Sequence, residues 1–176
     1  TNPSRIDSDF QKGVAILSNN GATNVMISDN TITDGSDGVR IDLAGMGNVV
    51  SNNDISGMRK EGIIVKSTSG TQVSDNTLRD NKKGIQVYDA TNTVVDNNVM
   101  TNTESASVIV TKGSVGTSVT NNTIDGGLNG VVVSGGNNTL VSGNTITDIT
   151  DTNPSRIDSD FQKGVAILSN NGATNV

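Results

Sequence analysis

Residues 62–78 read GIIVKSTSGTQVSDNTL, and the two ends of that stretch set the fold. In GIIVK, Ile63 and Val65 alternate with Ile64 and Lys66 behind a glycine. A period of two over a short segment bounded by Gly, Ser and Asn marks a strand and not a helix. In VSDNTL, two apolar residues bracket Asn76 at a tight bend.

Outward from this stretch both phrases recur. The first appears as GVAIL from Gly13, GVRID from Gly38, GIQVY from Gly84, SVIVT from Ser107, GVVVS from Gly130 and GVAIL again from Gly164. Its starts are spaced by 25, 24, 22, 23, 23 and 34 residues. The second appears as ISDNTI at 27–32, VSNNDI at 50–55, VVDNNV at 94–99, VTNNTI at 119–124 and VSGNTI at 141–146. The long last step holds an inserted loop at about 148–163, carrying Pro154.

A longer repeat encloses the short one. Residues 1–25 recur at 152–176 without a substitution, a period of 151 residues. The chain therefore reads as one full period, 1–151, followed by the start of an identical one, 152–176. The expected context is a window in a longer tandem array, or an engineered mimic of one.

In the first strand the expected inward set is Val14, Val39, Ile63, Ile85, Val108 and Val131, with Ile16, Ile41, Val65, Val87, Val110 and Val133 two residues on. Each coil buries only a few side chains and cannot fold alone. Coils stacked at about 4.8 Å would join those few into a continuous core. Six coils then advance about 29 Å per period. The G-V-x-I and V-x-x-N-x-I phrases resemble the right-handed parallel β-helix repeats of the pectin-lyase-like superfamily, which also includes alginate epimerases and many surface adhesins. The resemblance implies an all-β chain wound as a right-handed parallel β-helix, about six coils per period. It implies little about chemistry, because one fold hosts many functions.

Asn30, Asn53, Asn76, Asn97, Asn122 and Asn144 are expected to stack at one place in successive coils as a structural ladder. Stacked amides donate and accept along a column.

Composition removes several classes of function. With no Cys, His or Trp in 176 residues, disulfides, thiolate zinc sites and His-based triads are impossible. A net charge of −6 and only three aromatic residues argue against nucleic-acid binding. No apolar run approaches the ~18 residues of a membrane span.

Three features are candidates for chemistry. Asp42, Lys66 and Tyr88 hold equivalent outward places in consecutive coils, with Arg40 beside them. An acid, an amine and a phenol about 5 Å apart could abstract a proton from a uronate. Opposite charges stacked on neighbouring strands explain the same residues more simply, and no catalytic or cofactor-binding residue is assigned. Asp148, Asp151, Asp158 and Asp160 gather carboxylates that a calcium ion would favour, yet no known calcium-loop spacing is present, so no metal is assigned. Ile64, Ile109 and Val132 fall on the outward side and are expected to be exposed, as a lateral contact for another fibre or for the inserted loop with Ile157 and Phe161.

The expected function is a structural, non-enzymatic fibre segment, the tandem-repeat stalk of an extracellular, bacterial surface or biofilm-matrix adhesin. Its partners are adjacent copies end to end, with other fibres laterally or matrix polysaccharide as further contacts. The alternative is a fragment or derivative of a polysaccharide-acting enzyme, a polyuronate lyase or epimerase.

Overall fold

The computed structural model describes residues 13–150 and 164–176, which form 17 strands and no helix. The strands wind as successive coils with three faces. The first face holds Val14–Asn19, Asp37–Asp42, Glu61–Lys66, Lys83–Tyr88, the later parts of Val99–Thr111 and Thr123–Ser134, and Val165–Asn170. The second holds Met26–Ser28, Val49–Ser51, Gln72–Ser74, Val94–Asp96, Ser118–Thr120 and Leu140–Ser142. The third holds Thr31–Thr33, Asp54–Ser56, Thr77–Arg79, the earlier parts of the same two long strands, and Thr145–Ile149. Every strand pair is parallel and joins one coil to the next. The two long strands turn from the third face into the first without a break, which merges those faces into one 11-stranded sheet beside a six-stranded second face.

The core is a set of single-file columns. Val39, Ile63, Ile85, Val108 and Val131 form one, and Ile41, Val65, Val87, Val110 and Val133 the next. Val50, Val73, Val95 and Val119 line the second face, and Ile55, Leu78, Met100 and Ile124 the third. All of these are buried in one continuous cluster. The small residue ahead of each first-face strand makes room for the third-face side chain across the interior. A Cβ at Gly62 would lie 2.6 Å from Leu78 Cδ2.

The duplicated coil sits two residues away from its expected alignment. Ile16 pairs with Val39 and Ser18 with Ile41, so Ile16 and Ser18, not Val14 and Ile16, continue the inward columns. The second copy shifts identically, Ile167 pairing with Val131 and Ser169 with Val133. The cause lies in Gly13 and Gly164, which serve left-handed turns at φ 79° and 71°. Ala15 and Ala166 take the small-residue place instead. Because both copies shift together, the 151-residue period is unchanged.

Candidate functional site

Bends between the second and third faces are built from two residues. The first adopts a left-handed backbone: Asp29, Asn52, Asp75, Asn97, Asn121 and Gly143, with φ from 52° to 68°. Asn, Asp and Gly tolerate this conformation best. The second residue is the rung of the ladder. Asn30 Nδ2 donates to Asn53 Oδ1, Asn53 to Asn76 and Asn76 to Asn98, each at 2.9 Å. Asn98 continues to Asn122 at 3.0 Å and Asn122 to Asn144 at 2.9 Å. Each acceptor oxygen also takes the backbone N–H of the preceding rung, as Asn76 Oδ1 does from Asn53 at 3.0 Å. Each inner amide binds a backbone carbonyl one coil back, as Asn76 Nδ2 does at Val50, 2.9 Å away.

The rung in the fourth coil is therefore Asn98 and not the expected Asn97. Asn97 occupies the left-handed place (φ 52°), and its side chain bonds Asp75 at the surface. The phrase in that coil begins one residue later than it was read, at Val95, as the pairing of Val95 with Val73 and Val119 requires. Two consecutive asparagines hid the offset.

On the outer side of the first face, registered pairing aligns Asp42, Lys66 and Tyr88. Asp42 Oδ2 accepts from Arg40 Nη2 at 2.9 Å and lies 3.7 Å from Lys66 Nζ. Lys66 Nζ stands 6.0 Å from the Tyr88 ring centre. Sequence reading missed the row beside this one: Arg40 Nη1 also reaches Asp37 at 3.3 Å, and Lys83 Nζ meets Glu61 Oε1 at 2.9 Å. The residues ahead of the quoted phrases carried that signal. Asp37 and Asp42 are only 2% and 6% exposed, and the Oδ1 atom of each has no hydrogen-bond partner. Burial pushes the Asp37 carboxyl above the ordinary 3.8, with repulsion from Glu61 adding to it and Arg40 opposing. A cleft of about 200 Å³ opens here, with Leu17 and Leu43 as apolar walls and Asn19, Arg40, Asp42 and Lys66 as polar lining. Such a mixture of apolar wall and convergent polar groups suits a small polar ligand with hydroxyls.

Ile64, Ile109 and Val132 point outward as expected but are not exposed: they are 7%, 5% and 0% accessible. Ile109 and Val132 stack with Ala106 and Leu168 in a second apolar cluster separate from the core. Their burial removes them as a free lateral contact surface. Among the four loop carboxylates only Asp148 lies within the described residues, exposed and left-handed. Asp151, Asp158 and Asp160, like Ile157 and Phe161, lie outside the described residues. No group of three metal-ligating side chains occurs among the described residues.

With three-faced parallel coils and an internal asparagine ladder in place, the match of residues 3–124 to the family described as "Right handed beta helix region" completes the assignment. The chain belongs to the right-handed β-helix family. No curated protein matches it. Within this β-helix, no helix among the described residues is long and apolar enough to cross a membrane.

Proposed function

We propose that the chain is a length of structural fibre, the tandem-repeat β-solenoid rod of an extracellular surface or biofilm-matrix adhesin, in which adjacent copies join end to end. One observation carries the reading: the same coil sequence fits at both ends of the period. At the front, the coil beginning at Gly13 bonds the second coil through Gly21 N–H to Leu43 O at 2.8 Å and Asn24 N–H to Met46 O at 2.9 Å. At the back, its identical copy receives Gly135 N–H on Asn170 O at 3.0 Å and Asn138 N–H on Thr174 O at 2.9 Å. One coil thus carries an edge for the coil after it and an edge for the coil before it. Adding periods lengthens the shaft with no new chemistry, and a continued stack leaves fewer strand edges open.

The test is a chain lengthened by one further 151-residue period. Small-angle scattering should show the maximum dimension growing by about 29 Å at constant cross-section. Two separately tumbling bodies, or a thicker particle of the same length, would sink the proposal.

A second reading is favoured by the cleft at Asp42 and Lys66: a contact point, or a lyase or epimerase site, for a polyuronate. Retention on a polyuronate column, or unsaturated product in solution, lost in Lys66→Ala, is the expected result. Neither effect at any concentration would remove it.

A further inference from the structure

The two edges of the duplicated coil draw on different atoms. Toward the second coil it uses the N–H groups of Gly21 and Asn24 and the carbonyls of Ala22 and Val25. Toward the sixth coil the copy uses the carbonyls of Asn170 and Thr174 and the N–H of Gly164. Side chains add to that second edge: Asn171 Nδ2 donates to Ser134 Oγ at 2.7 Å, Thr174 Oγ1 to Asn137 Oδ1 at 2.9 Å and Asn175 Nδ2 to Asn138 Oδ1 at 2.8 Å. Their counterparts at the front of the chain are Asn20, Thr23 and Asn24. The two copies also share a backbone: Asn20 and Asn171 have φ 52°, as do Asn24 and Asn175.

We propose that this coil is exchangeable between chains: residues 13–25 of one copy seat on the sixth coil of a second, in place of that copy's own 164–176. The partner is a second copy of this chain. The inference rests on the rod reading for its coil geometry, but not on the copies being covalently joined. Each exchange breaks one coil interface and forms an identical one, so concentration sets the population of joined chains. The contact is head to tail and does not close on itself, so joined copies grow as an open filament.

The chain contains no Cys, which makes cross-linking unambiguous. Thr174 and Asn137 are bridged partners, so a cysteine pair at these two sites in one chain is the positive control for a reachable disulfide. The test mixes one copy carrying Thr23→Cys with another carrying Asn137→Cys under mild oxidation. The expected product is the mixed disulfide dimer. Its yield should rise several-fold when the Asn137→Cys copy also carries Leu168→Pro, because proline in mid-strand loosens that copy's own last coil. A Leu168→Pro chain without cysteines should gain mass with concentration in light scattering while the unaltered chain lags behind. Thr23→Cys that couples to Asn137→Cys no faster than to an exposed Gln72→Cys site overturns the proposal. So does a Leu168→Pro chain that stays monomeric throughout. If the lengthened chain grows by a whole period while these outcomes fail, the covalent rod stands and exchange falls.

Discussion

Asp37 faces two opposed demands. It is buried beside Glu61, both of which disfavour its charge, while Arg40 donates to it at 3.3 Å and favours it. The balance leaves its folded pKa above 3.8. Between that value and the folded pKa the native state holds a proton that the unfolded chain has released. Stability from this group is therefore full below 3.8 and is lost as pH rises through the folded pKa. Asp37→Asn still accepts from Arg40 but cannot titrate. Melting followed by circular dichroism should show the unaltered chain losing ground to Asp37→Asn as pH rises through this window. Parallel melting curves across the whole range would contradict that account.

The ladder belongs to the scale of the element, because each rung serves two coils. Asn76→Ala removes the acceptor of the Asn53 backbone N–H and the side-chain donor to Val50 O, both buried, while the Asn53 amide keeps the carbonyls of Ile27 and Ser51. Groups left unpaired in this way cost about 1–3 kcal/mol each. Asn97→Gly should stay within about 0.5 kcal/mol of the parent, since that residue supplies only a left-handed bend and a surface bond. Denaturant titration separates the two variants. Equal losses would move the fourth rung back to Asn97. Alternation and the asparagine spacing made the inward columns of the second to sixth coils and five of the six proposed rungs readable from the sequence. The rest was obscured where one residue type serves two purposes. Asn97 and Asn98 compete for one phrase, and Gly13 looks like the small residue of a strand but makes a turn. A further column, Thr71, Thr93, Thr117 and Thr139, is buried with every hydroxyl oxygen unpartnered. Threonine is common on solvated strands, so nothing in its sequence context marked it as interior.

At the scale of the molecule, period and register agree: both copies of the duplicated coil shift by the same two residues, so the coil holds one register against the coil after it and the coil before it. The repeat of 151 residues was plain because identity needs no structural interpretation. The outer side of the first face was harder to read. Whether Ile64, Ile109 and Val132 meet water depends on what lies over the sheet, and alternation within a strand reports only inside against outside. The ionic row at Asp37, Glu61 and Lys83 was missed for a similar reason, since it precedes the phrases by which the coils were aligned.

Parallel strands that pair only with the coil before and after have a mechanical corollary. Their hydrogen bonds run along the shaft, so a pull on its ends loads them lengthwise. Rupture then proceeds turn by turn from a terminus, each turn of about 23 residues paying out roughly 75 Å of slack chain. A solenoid of this kind should yield in many small steps under tension, one turn at a time.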